Sequence, residues 1–117
     1  MIWSPQVLKL ASAIKVAEGS NPEWNNPGDL TFAGMFRTCG FANSEGVLKF
    51  VNAADGWNAL CHQCDLMLSG RSHVYSLDMT LEQVGLKYSD GDPNWAKNVA
   101  ASMGIPEQTT LAQLAAQ

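Results

Sequence analysis

Glu18-Gly19-Ser20-Asn21-Pro22-Glu23-Trp24-Asn25-Asn26-Pro27-Gly28-Asp29-Leu30 is the stretch from which the rest of the chain is read. It is dense in residues that stop helices and make turns: Gly19 suits the position just past a helix end, the prolines fix φ, and Asn and Gly tolerate tight reversals. Upstream, Ser4-Pro5 joins an N-cap side chain to a proline at the first helical position, and Val7, Leu10, Ala11, Ile14 and Ala17 recur at helical spacing. A helix is therefore predicted from about Pro5 to Glu18, which leaves a glutamate where an apolar helix face meets a polar loop. Such a carboxyl tends to keep its proton, because apolar neighbours disfavour the ion and the negative end of the helix dipole pushes the same way. The competing reading of a helix-end glutamate is a solvated side chain.

Downstream the pattern shortens. Leu30-Thr31-Phe32 and Val47-Leu48-Lys49-Phe50-Val51, separated by Gly34, Gly40 and Gly46, predict a small antiparallel ribbon. Asn52 is placed to cap a second helix from Ala53 to about Leu68, with Trp57, Leu60, Cys61, Cys64 and Leu68 on one stripe and Gly70 beyond its end. Thr80-Leu81-Glu82-Gln83 has the form of a capping box, Asp92-Pro93 opens a helix ending near Met103-Gly104, and Thr110 with Gln113 opens a last one. The fold class this predicts is α+β, mostly helical, with the ribbon between the first and second long helices. The 117 residues contain no repeat, low-complexity tract or linker, so a single domain, 1–117, is expected.

Composition excludes several functions. With 46% hydrophobic and 15% charged residues the chain can bury a core. A formal charge of −4 and seven scattered Lys and Arg give no footprint for a phosphate backbone, so nucleic acid is not expected as a partner. No run of apolar residues is long enough for a membrane span. The opening Met1-Ile2-Trp3-Ser4-Pro5 lacks a cationic start and apolar run, so no signal peptide is read. The three cysteines, Cys39, Cys61 and Cys64, cannot all pair within the chain and argue against a disulfide scaffold. Cys61-His62-Gln63-Cys64 superficially suggests zinc, but a helix puts the two thiols on the buried face and turns His62 away, with no further ligand pair to complete the set. His73 has no partner nearby in sequence, and the Gly34–Gly46 stretch lacks the Lys-Ser/Thr ending of a phosphate loop. No metal and no cofactor are expected.

The order of these segments resembles a group of lysozyme-like peptidoglycan hydrolases and lytic transglycosylases of phages and bacteria. In that group a helix ends in Glu-Gly and leads to Asn-Asn-Pro-Gly-Asn/Asp-Leu, matched here by Glu18-Gly19 and Asn25-Asn26-Pro27-Gly28-Asp29-Leu30. The likeness continues through Gly46 to Phe50, Asp55-Gly56-Trp57-Asn58-Ala59-Leu60, Thr80-Leu81 with Tyr88, Trp95-Ala96-Lys97-Asn98-Val99-Ala100 and Met103-Gly104-Ile105. The resemblance implies a lysozyme-like fold in which the Glu18 helix and the ribbon wall a saccharide groove. It implies cleavage of the β-1,4 bond between N-acetylmuramic acid and N-acetylglucosamine, with Glu18 as general acid.

Under that reading Asp29 matches the loop motif as a second catalytic carboxylate, and it suits an Asx turn equally well. Asp55 reads as a first-turn helix acid, and Glu23 and Glu45 as solvated loop residues. Asn25, Asn26, Thr31 and Tyr88 are candidates for sugar contacts, and Trp24 either lines or covers the cleft. Pro27 and Gly28 read as turn formers, Trp57 and Trp95 as core residues. The expected partner is the glycan strand of peptidoglycan, met by a monomer. Without a signal, the chain would be made in the cytoplasm and reach the wall by phage-assisted or other non-Sec export. The alternative is a catalytically inactive lysozyme-fold protein that binds the cell wall or builds a virion.

Overall fold

The computed structural model describes residues 1–117 and contains five α-helices and one two-stranded antiparallel sheet. Helix α1 spans Pro5–Glu18; the Ser4 hydroxyl accepts from the Val7 amide, and Gly19 ends the helix in the left-handed region at φ 54°. A short 3₁₀ turn, Pro22–Trp24, follows within the loop. Strands β1, Thr38–Phe41, and β2, Leu48–Phe50, pair antiparallel with an irregularity at Cys39. Helix α2 runs Ala53–Ser69 from an Asn52 cap to Gly70. Helices α3, Leu81–Tyr88, and α5, Leu111–Ala115, each open on a complete capping box, Thr80 with Gln83 and Thr110 with Gln113. Between them α4, Pro93–Met103, starts from Asp92. Each cap satisfies amides that the first helical turn leaves without partners.

The ribbon differs from the sequence expectation. Its first strand is Thr38–Phe41; Leu30-Thr31-Phe32 is not a strand. Leu30 does meet β2, since its carbonyl accepts from the Leu48 amide, but that bond has no neighbour to extend it into a ladder. The Asn26 side chain takes the place of the missing strand: its amide nitrogen donates to the carbonyls of Leu30 and Leu48, and its oxygen accepts from the Leu30 amide.

Two apolar clusters hold the elements. The larger draws Leu10 and Ile14 from α1, Leu60 and Cys64 from α2, Val84 from α3 and Val99 from α4. Complete burial of each such aliphatic side chain contributes about 1.5–3 kcal/mol. The smaller joins Leu30, Phe36, Leu48 and Phe50 to Ala59 of α2, anchoring the ribbon beneath the loop that follows α1. Cys61 and Cys64 are both buried, and no three His, Cys, Asp or Glu side chains converge as a metal-binding group. No helix is long and apolar enough to cross a membrane.

Two glycines mark close approaches that fix the site. A Cβ at Gly56 would fall 1.5 Å from the Asn25 carbonyl oxygen, so the loop rests directly on the backbone of α2. A Cβ at Gly85 would lie 2.9 Å from the Trp95 ring, so α3 lets that indole settle against it.

Candidate active site

Glu18 is half-buried at the last position of α1 and borders a cleft of about 640 Å³. Asp29 and Thr31 on the loop, Tyr88 at the end of α3 and Trp95 on α4 share that border. The Trp95 indole N–H donates to Glu18 Oε1 at 2.8 Å. Trp95 is 3% exposed, and its ring stacks on Tyr88 with centroids 4.9 Å apart. The Tyr88 hydroxyl in turn donates to the Gly28 carbonyl at 2.7 Å, which ties α3 to the loop. The chain loop–Tyr88–Trp95–Glu18 thus fixes the carboxyl from three separate elements.

The Glu18 carboxyl is pushed up from its ordinary 4.5 to about 8. Burial is the largest cause, because desolvation penalises the ion. The neighbouring Asp29 carboxyl raises it further, through hydrogen bonding to the protonated form and through charge repulsion. The Trp95 hydrogen bond opposes these effects by stabilising the anion, and Asp92 adds a small upward push. Glu18 is therefore a carboxylic acid at neutral pH, able to donate.

Asp29 is held as tightly as Glu18. It adopts a left-handed backbone at φ 51°, and its Oδ1 accepts from the Ser20 hydroxyl at 2.6 Å. That backbone suits a turn, while the side chain faces the cleft beside Glu18. The carboxyl accepts from Ser20 rather than from a backbone amide, so no Asx turn forms.

The other residues singled out from the sequence separate. Thr31 and Tyr88 join Glu18 and Asp29 at the cleft. Asn26 does not: it is 2% exposed and its amide is consumed by the backbone, which leaves nothing for a sugar. Asn25 lines a different concavity of about 410 Å³ with Lys15 and Trp57, and its amide donates to the Phe50 carbonyl. Trp24, half-buried in the 3₁₀ turn, borders neither space. Asp55 sits in the first turn of α2 and pairs with Arg37 at 3.2 Å.

Sequence reasoning missed four contributors. Trp95 read as core, which it is, but its N–H also points at Glu18 across 77 positions. Glu45, set aside as a loop carboxylate, borders the cleft from the ribbon side, and Asp90 and Asp92 border it from the turn between α3 and α4. Helical periodicity locates Trp95 on a buried face but carries no information about the partner of its single donor. No protein-family model, curated protein or solved structure matches the chain.

Proposed function

We propose that the chain is a lysozyme-like peptidoglycan glycosidase in which Glu18 protonates the oxygen bridging N-acetylmuramic acid and N-acetylglucosamine. The observation that carries this reading is the placement of Glu18: a protonated carboxyl, fixed by Trp95, at the border of a cleft of about 640 Å³. A proton donor must hold its proton at the working pH and be oriented, and burial beside Asp29 supplies the first while the indole supplies the second. The resemblance through Glu18-Gly19 and Asn25 to Leu30 supports the same assignment.

Hydrolysis and lytic transglycosylation share the first step and differ in the nucleophile that follows, a water or the muramic 6-hydroxyl. In the proposed reaction Glu18 gives its proton to the departing oxygen, and the C–O bond breaks with oxocarbenium character at the muramic ring. Water or the 6-hydroxyl of that ring then attacks the anomeric carbon, and the proton of the attacking hydroxyl returns to Glu18. The products are a free 4-hydroxyl and, respectively, a reducing or an anhydro muramic end.

Turbidity of purified peptidoglycan measures the activity. The wild-type protein is expected to clear it, and Glu18→Gln to lose about two orders of magnitude or more. Equal clearing by both would remove Glu18 from the reaction, and clearing by neither would leave a wall-binding protein. Mass spectrometry of the fragments distinguishes anhydro from reducing muramic ends.

A further inference from the structure

Ser20 ties the end of α1 to Asp29. Gly19, in the left-handed region at φ 54°, redirects the chain, and the Ser20 hydroxyl then donates to Asp29 Oδ1 at 2.6 Å. The backbone around Asp29 is fixed independently. Its amide donates to the Asn26 carbonyl, the Gly28 carbonyl accepts from Tyr88, and the Leu30 amide donates to Asn26 Oδ1. Only the side-chain torsions of Asp29 remain to be set, and apart from Glu18 itself the Ser20 hydroxyl is the one donor to that carboxyl.

The two carboxyls at the cleft are thus served symmetrically. The Trp95 N–H donates to Glu18 Oε1 at 2.8 Å, the Ser20 O–H donates to Asp29, and no other donor reaches either group. A hydrogen bond donated to a carboxyl favours its ionised form, so each donor drives a proton toward the opposite carboxyl. Acting alone, the indole would move the proton from Glu18 to Asp29, and general acid chemistry would be lost; Ser20 opposes it. The surrounding groups do not decide the matter. Glu45, Asp90 and Asp92 disfavour a charge on either carboxyl, and the Tyr88 phenol, pushed well up by burial, stays neutral. Lys87, exposed and sharing a second concavity with Asp29, donates to the Val74 carbonyl at 3.3 Å.

We propose that Ser20 is a positioning residue that assigns the proton of the carboxyl pair to Glu18, by holding Asp29 in its ionised form beside it. Ser20 does not border the Glu18 cleft, so it acts through Asp29 and not on the sugar. The same bond operates in the second half of the reaction: with Asp29 already satisfied as an anion, the proton of the attacking hydroxyl goes to Glu18, and the acid is restored. The role in turnover rests on the glycosidase reading; the placement of the proton does not.

The test is carboxyl-carbon NMR of the full chain, following Glu18 Cδ and Asp29 Cγ from about pH 4 to pH 9 in the wild type, Ser20→Ala and Ser20→Thr. In Ser20→Ala the ratio of Glu18-protonated to Asp29-protonated protein is expected to fall about tenfold, as the loss of one hydrogen bond to a charged group allows. At neutral pH the Glu18 signal then moves toward its ionised position and the Asp29 signal toward its protonated one. Ser20→Thr keeps a hydroxyl and restores both. With soluble glycan fragments as substrate, Ser20→Ala lowers kcat at neutral pH and leaves KM little changed. A loosened loop that merely admits water would shift Glu18 with no reciprocal change at Asp29. That result, unmoved signals, Ser20→Thr behaving like Ser20→Ala, or an undiminished kcat would overturn the assignment. A reciprocal shift in a protein whose wild type fails to clear peptidoglycan would instead sink the glycosidase reading alone.

Discussion

Replacing Glu18 by Gln should make the protein more stable, by a margin that opens above about pH 4.5 and is complete near pH 8. Gln keeps the shape of the side chain; its oxygen can accept from the Trp95 indole, and its NH₂ can donate to Asp29. What it removes is the titration. The folded protein binds the Glu18 proton up to about pH 8, whereas the unfolded chain releases it near 4.5. Between those values the native state holds a proton that the unfolded state lacks, so wild-type stability falls as pH rises through that window and is flat on either side. A move from 4.5 to about 8 corresponds to at most about 5 kcal/mol, at roughly 1.4 kcal/mol per tenfold change. Glu18 is only half-buried, and water contact screens the ion, so about 2 kcal/mol is the realistic share. For a chain of 117 residues that is a melting-temperature difference of about 8 °C. Urea and thermal unfolding of both proteins from pH 4 to pH 9 should give curves that coincide at the acid end and separate toward the alkaline end, with Glu18→Gln the more stable. Parallel curves across the range would show that Glu18 titrates normally, and the argument for a neutral proton donor would fail with them.

Under the proposed reaction, three further perturbations probe the donor and the loop beside it. Trp95→Phe keeps a ring to stack on Tyr88 but deletes the N–H that stabilises the Glu18 anion, so the alkaline limb of the pH–rate profile, near 8 in the wild type, should move upward while neutral-pH turnover drops about tenfold. A downward shift would mean that the indole does not act on Glu18. Asn26→Ala removes hydrogen bonds to Leu30 and Leu48 and should cost about 3 kcal/mol in urea unfolding, whereas Thr31→Ala, at an exposed position on the cleft, should stay within about 0.5 kcal/mol and reduce turnover instead.

Helix boundaries were the legible part of this chain, because capping is decided within a few residues. Ser4, Asn52, Thr80, Asp92 and Thr110 each cap the helix that their local sequence predicts, and Gly19, Gly70 and Gly104 each end one in the left-handed region. The ribbon was only half legible. Leu30-Thr31-Phe32 has strand composition, but Thr38–Phe41 pairs with β2, and the edge that Leu30 would have filled is met by a side chain from Asn26. Partners in a sheet are chosen at a distance, and composition does not record that choice. The position of Glu18 was readable because it coincides with a helix end; the Asp29 neighbour followed from the loop motif. The donor partner of Trp95 and the place of Glu45 were not readable, since they depend on which elements the fold brings to one cleft.

The indole that steadies Glu18 is supplied 77 positions further along the chain, by a helix that packs directly on α1. A nascent or truncated polypeptide ending before residue 95 contains the acid but neither its donor nor the cover that α4 provides. Its carboxyl would titrate like that of a free peptide. Long-range closure of this kind comes late in folding. The carboxyl of Glu18 thus lacks its donor until residue 95 and the helix around it have emerged.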